Sequence, residues 1–365
     1  MRWATLRKLH MFMLLALLSA CAHRALSTHE LQSKFAEVAP TTRLQFIDFG
    51  GKGDPVVLLA GPGNTAWIYA PFGNDLANDF HVVALTRRGH GESDMPATGY
   101  DQATLVEDLL GFLDSQGFHS VHLVGSATAG EELTRFASKY PSRVSSLVYL
   151  DAAYDRSVDV ESGTPDKPER PTAADKSSVD AYVAYLVRTR GVSDAPPGVL
   201  ERNWRASVAI KPDGTAGMKW GEAQYAEYMR SLTAASPDYS GVKAPALAIY
   251  AVGVPYARLE RASPEIRAAI EKHREAVVLP WRAASIAQFK AGMRNGTVVE
   301  LDALHHPFLN RPKETATLVR RFLRRNPIKR WNRLSVMSAM GRKRTLSPGY
   351  QARICSSKVV CGMFR

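Results

Sequence analysis

The stretch "HLVGSATAGEE", residues 122–132, holds residue types and a spacing that suggest covalent chemistry. An apolar run closes on Gly125, small residues follow, and Glu131 and Glu132 fall in what reads as the first turn of a helix. A sharp strand-to-helix turn of this kind lifts a nucleophilic side chain clear of a sheet and aims the next backbone N–H at a reacting oxygen. Its central residue sits at positive φ, and the residues two positions to either side must be small, because strand and helix pass close together. Centring the turn on Ala127 places Gly125 and Ala129 at the flanks, which fits well. Centring on Ser126 crowds it with Val124 and Thr128. Centring on Thr128 gives tolerable flanks, Ser126 and Gly130, but puts a β-branched residue at the strained site. The favoured register leaves a methyl group where a hydroxyl is needed, with Ser126 and Thr128 as alternative nucleophiles.

The elements that must position this turn can be read on both sides of it. "RLQFIDFGG", "PVVLLAG" and "FHVVAL" have the β-branched, apolar character of strands, and "DQATLVEDLLGFLDSQGF" has apolar residues at helical spacing ending near Gly117. "VHLVG" and "VSSLVYLD" read as further strands, and helices alternating with strands imply a mostly parallel sheet covered on both faces. Between about residues 155 and 243 the strand signal disappears. Helical patterns such as "VDAYVAYLVRTRG" and "GEAQYAEYMRSL" replace it, as in an inserted helical lid. "PALAIYAV" and "TVVELDALHH" resume the sheet, and "KETATLVRRFLRR" closes the fold as a helix.

Four landmarks occur in order: "LLAGPGN", "RRGHGESD", "LVGSATAGEELTRFASKYPSRVSSLVYLDAAY" and "LDALHHPF". Together they resemble the α/β-hydrolase fold over residues 43–325. The resemblance implies descent from serine hydrolases acting on esters or similar acyl compounds, on a scaffold that also carries dehalogenases and epoxide hydrolases. It implies that the base is His305, after the last strand and three residues before Phe308, with His306 as its rival. The acid that such folds carry after the seventh strand is missing until Glu260. Asp151, closing the sixth strand, takes its place, as in some haloalkane dehalogenases, with Asp155 as second choice. A carboxylate there can hold the imidazole Nδ1–H and fix its tautomer.

The oxyanion site is expected to be defective as well. Its first donor is the N–H after the glycine of Ala60-Gly61-Pro62-Gly63-Asn64, and Pro62 has none to give. Gly63 or the Asn64 side chain could substitute, and the Thr128 N–H would survive. Glu131 and Glu132 read as a solvated helix start that suits the helix dipole. The lid aromatics Trp204, Trp220, Tyr225 and Tyr228 read as pocket lining or lid core. The expected function is therefore binding of a small apolar ligand by a catalytically impaired protein. The alternative is hydrolysis of small esters through Thr128 or Ser126, or by water activated by His305 and Asp151. No cofactor is implied, and the paired histidines lack a third metal ligand at suitable spacing.

Charge and the chain ends set the remaining bounds. The net charge is +12, but four positives lie before residue 25 and nine beyond Asn326, which leaves the body at −1 and argues against nucleic acid as a partner. Arg2, Arg7 and Lys8 precede an apolar run over residues 11–18 that is too short to span a bilayer. The run ends in "LLSAC", which resembles a bacterial lipobox with Cys21 as the lipidated residue. The expectation is a signal peptide over 1–20, export, and a lipid anchor in the outer membrane facing the periplasm, or else simple secretion. Residues 21–42 read as a polar linker with a short helical pattern, and 326–365 as a basic, disordered tail.

Overall fold

The computed structural model describes residues 31–160, 162–165, 169–190, 195–253 and 262–328. The signal segment with Cys21, Glu260, and the tail from residue 329 onward lie outside the described residues. Eight strands form one sheet in the order β1 (Ser33–Ala39), β2 (Thr42–Gly50), β4 (His81–Leu85), β3 (Pro55–Leu59), β5 (Val121–Ser126), β6 (Val144–Leu150), β9 (Ala246–Ala251) and β10 (Gly296–Leu301). β1 and β2 are antiparallel to their neighbours, and every pairing from β4 to β10 is parallel.

The inner strands are apolar on both faces because both faces are covered, as parallel sheets require. Successive side chains in β3 divide between two cores. Val57 and Leu59 pack with Leu109 and Phe112 of α2 (Gln102–Ser115), Phe136 of α3 (Ala129–Lys139) and Phe289 of α8 (Leu279–Gly292). Val56 and Leu58 pack with Phe72 of α1 (Ala70–Leu76) and with Val319 and Leu323 of α10 (Pro312–Arg325). The Asp101 carboxylate starts α2 by accepting from the Ala103 and Thr104 N–H groups at 2.9 and 3.0 Å. In α10 the buried residues Thr315, Ala316, Val319 and Leu323 form a single stripe, the spacing of an amphipathic helix laid on a sheet.

Two expectations are corrected. Ser33–Ala39 is not linker but strand β1, paired along β2 from Ser33 with Ile47 to Ala39 with Thr42, with an irregularity between Glu37 and Ala39. As an edge strand it buries little, so "SKFAEVA" carries no clean alternation, and its conformation follows from the partner strand. The insertion between β6 and β9 is also not purely helical. Besides α4 (Val179–Arg190), α5 (Val199–Arg205) and α6 (Glu222–Leu232), it holds a short hairpin, β7 (Val208–Ile210) with β8 (Ala216–Met218). Among the described residues, α7 (Pro264–His273) and α8 run between β9 and β10, and α9 (Pro307–Asn310) precedes α10.

Candidate active site at the strand ends

The site residues gather where parallel strands end, the usual place for ligands in open α/β sheets. β5 is buried along its whole length, and the chain turns at once into α3. At that turn Ala127 has φ +55°, and Asp151 at the end of β6 has φ +50°; among the described residues no other non-glycine residue has positive φ. An alanine in this conformation costs roughly 1–2 kcal/mol, which the surrounding packing must impose. That packing is specific. A Cβ on Gly125 would lie 2.8 Å from Leu133 Cδ1, and one on Gly130 would lie 2.0 Å from the Ala152 carbonyl oxygen. The Ala127 N–H donates to the Leu150 carbonyl at 3.4 Å, which ties this turn to the end of the neighbouring strand.

The hydroxyls on either side of Ala127 are engaged elsewhere. Ser126 is buried, and its Oγ lies 2.9 Å from the Tyr69 hydroxyl, which also donates to the Leu59 carbonyl at 2.8 Å. Thr128 has φ −72° and caps α3, and its Oγ1 accepts from the Tyr228 hydroxyl of the lid.

His305 and Asp151 meet directly, with Nδ1 2.6 Å from Oδ2. A carboxylate only accepts, so the proton of this bond is on Nδ1, and Nε2 is the ring nitrogen left for another partner. The His305 side chain is half exposed, whereas Asp151 is buried. Asp151 Oδ1 accepts from the Tyr154 hydroxyl at 2.7 Å and from the Ala251 N–H at 2.9 Å. Burial alone would raise its pKa. The His305 bond and charge, with the Tyr154 and Ala251 donors, outweigh that and hold it below the ordinary carboxylate value. The rivals are occupied differently. His306 is half-buried against Phe308, its Nδ1 atom shielded from solvent, and that burial, with the charge of His305, pushes its pKa down to about 3. Asp155 accepts from Ser157 and Ser236 hydroxyls at 2.6 and 2.7 Å, away from His305.

Gly61-Pro62-Gly63-Asn64 forms a tight turn, closed by Asn64 N–H donating to the Gly61 carbonyl at 3.2 Å. Pro62 suits its second position, and Gly63, at φ +81°, its third. The Asn64 side chain is turned to the lid, where its Oδ1 accepts from Asn203 Nδ2 at 2.8 Å. Among the described residues no group of three or more His, Cys, Asp or Glu is arranged to hold a metal ion.

A family model described as the alpha/beta hydrolase fold matches residues 54–193. The crystal structure of E-2-(acetamidomethylene)succinate hydrolase superimposes with a TM-score of 0.57 over 80% of this chain and 99% of its own, at 21% identity. The chain has the α/β-hydrolase fold.

Curated relatives match over shorter spans. The 2-(acetamidomethylene)succinate hydrolase of Mesorhizobium japonicum is 30% identical over 101 residues, 28% of this chain and 36% of that protein. The 2-hydroxy-6-oxononadienedioate/2-hydroxy-6-oxononatrienedioate hydrolase of Burkholderia vietnamiensis is 33% identical over 133 residues, 34% of this chain and 46% of that protein. The chain thus spans less than half the length of each of these two relatives.

Beneath the elbow of this α/β-hydrolase fold lies a buried ion pair that sequence reading missed. Arg87 Nε donates to Glu132 Oε2 at 2.7 Å, and another guanidinium nitrogen donates to the Ala60 carbonyl. Glu131 and Glu132 are therefore not a solvated helix start. Both are buried, with Glu131 paired to Arg135 at 2.6 Å. The residue after Arg87, Arg88, makes two 2.6 Å bonds to Asp108.

The lid is fastened at three places. The fully buried Asn203 accepts from the Thr65 N–H at 2.7 Å, and Tyr228 reaches Thr128. Glu227 accepts from the Gly99 and Tyr100 N–H groups at 3.0 and 3.1 Å. Trp204 and Tyr228 are buried, Trp220 is half-buried against His90, and Tyr225 is half exposed. No sequence pattern announced Asn203, because its partners are more than a hundred residues away.

Proposed function

We propose that the protein is a catalytically impaired descendant of serine hydrolases that binds a small apolar ligand under its lid. The observation that carries this reading is the methyl group of Ala127 at φ +55°, the conformation that a nucleophile elbow imposes on its reactive residue. A methyl group cannot attack a carbonyl. The neighbouring hydroxyls are poor replacements, because Ser126 is tied to Tyr69 and Thr128 to Tyr228. In this reading Pro62 occupies a donor position of the oxyanion site, leaving the Thr128 N–H as the remaining donor. His305 and Asp151 are the retained base and acid. That retained pair favours a second reading, slow hydrolysis by water that His305 activates. The similarity to the 2-(acetamidomethylene)succinate and 2-hydroxy-6-oxononadienedioate/2-hydroxy-6-oxononatrienedioate hydrolases supports hydrolase ancestry.

The test is a reversion. Wild type should show no burst with p-nitrophenyl butyrate. Ala127→Ser should be labelled at that serine by a fluorophosphonate, and adding His305→Ala should abolish the labelling. Wild-type turnover that Thr128→Val or Ser126→Ala destroys would overturn the assignment, as would a folded Ala127→Ser variant that stays unlabelled.

We also propose export as a lipoprotein, supported by "LLSAC" and the positives before it. Mass analysis of the mature N-terminus should find lipid on Cys21, and membrane retention of Cys21→Ala would count against it.

A further inference from the structure

Arg156 follows Asp151 by five residues and stands on an aromatic platform beside it. Its guanidinium carbon lies 5.2 Å from the Tyr154 ring centroid and 5.5 Å from that of Trp281. The two rings are stacked, with centroids 4.4 Å apart and planes at 13°. The Tyr154 hydroxyl donates to Asp151 Oδ1, so one side chain holds both the acid and the arginine. The backbone just before Arg156 is fixed from two directions. The Asp155 N–H donates to Ser285 Oγ at 3.2 Å, and its carbonyl accepts from Trp281 Nε1 at 2.6 Å.

Among the described residues this cation has no anion. Arg156 Nε is buried without a hydrogen-bond partner, and the adjacent Asp155 carboxylate is taken up by Ser157 and Ser236. Among the described residues no acid forms an ion pair with the guanidinium. A partly shielded guanidinium favours an acceptor, and its planar fork matches a carboxylate in two parallel bonds. The platform and the pinned backbone reduce the freedom lost when such a bond forms. Its field also reaches the ligand side. Burial raises the pKa of the Tyr228 phenol, and the charges of Arg87 and Arg156 oppose that rise. Tyr228 is the residue bonded to Thr128 at the elbow.

We propose that Arg156 anchors a carboxylate, so that the ligand is a small, mostly apolar compound carrying one carboxylate remote from its ester-like carbonyl. This rests on the reading of the elbow as a ligand site and adds the charge class of the ligand. The test is titration calorimetry of the full chain with monomethyl adipate and dimethyl adipate, which differ at the remote end by one charge. Wild type should bind the monoester about 10- to 100-fold more tightly, the range of a charge-assisted hydrogen bond. Arg156→Gln should erase that preference, bringing the two affinities within about twofold of each other. Arg156→Lys, which keeps the charge but loses the fork, should retain part of it. Equal affinities in wild type, no saturable binding of the monoester, or a preference that survives in Arg156→Gln would each overturn the proposal. The catalytic reading is tested by labelling of Ala127→Ser, so the two fail separately.

Discussion

A Cβ on Gly61 would fall 2.9 Å from the Ala127 Cβ and 3.9 Å from the Thr128 nitrogen. The loop after β3 therefore lies directly against the elbow, and only glycine permits that approach. In the proposed reading, an oxygen bound at the Thr128 N–H would also face the Gly61–Pro62 peptide, where no N–H is present. The expected defects, in the nucleophile and in one donor, are therefore neighbours in space and should be repairable together.

Ala127→Ser should recover acylation only in part. Combining it with Pro62→Ala restores a backbone N–H at the turn while leaving Gly63 to hold the left-handed position. Loss of one oxyanion donor typically lowers rate by ~10²–10³. Burst kinetics with p-nitrophenyl butyrate should show the double variant faster than the single by about 10²-fold, and equal rates would remove Pro62 from the donor site.

The two elbow glycines should differ sharply in tolerance. In Gly130→Ala the new methyl would meet the Ala152 carbonyl at 2.0 Å, and backbone cannot step aside. In Gly125→Ala the nearest atom is the end of the Leu133 side chain at 2.8 Å, which can rotate, although Ala129 Cβ follows at 3.1 Å. Urea unfolding should show loss of more than about 3 kcal/mol, or no folding, for the first. The second should lose about 1–3 kcal/mol, the usual range of overpacking.

Arg87→Met should be among the most damaging single changes away from glycine. It strands the buried Glu132 carboxylate, whose pKa burial already raises despite the arginine's charge and bond. Breaking one side of a buried pair costs about 3–5 kcal/mol, whereas replacing both sides can be nearly neutral. Arg87→Met with Glu132→Leu should recover most of the loss in denaturant titrations. Additive losses would show that the pair is not the coupled unit seen here.

Acid should weaken the fold well above the range where carboxylates titrate. Burial holds His90 and His122 down to about 4 and His306 to about 3, against an ordinary 6.5. Below 6.5 the unfolded chain takes up protons that the native state refuses, so stability is full above that pH and falls as pH drops toward 4. Each such histidine contributes up to about 1.4 kcal/mol per pH unit. Thermal melts should fall steadily from pH 7 to pH 5, and His306→Asn should flatten the slope. A melting temperature independent of pH across that interval would contradict the burial of these rings.

Sequence by itself determined what local sterics and periodicity control. Alternating apolar strands and helices require a covered parallel sheet, and the small residues at 125, 129 and 130 allow a tight strand-to-helix crossing with the left-handed φ on Ala127. Long-range pairing was decided only in the tertiary structure. Only the family resemblance brought Asp151 and His305 together across 154 residues; nothing local in "VYLDAAYD" or "DALHHPF" says so, or says that His306 is the more sheltered ring while His305 stays half exposed. The strand at Ser33–Ala39 exists because β2 offers it an edge, and Glu132 is buried because Arg87 comes to meet it. These outcomes depend on which distant groups a buried atom can find. A buried polar group must be paired, and its partner is fixed by topology rather than by its neighbours in sequence.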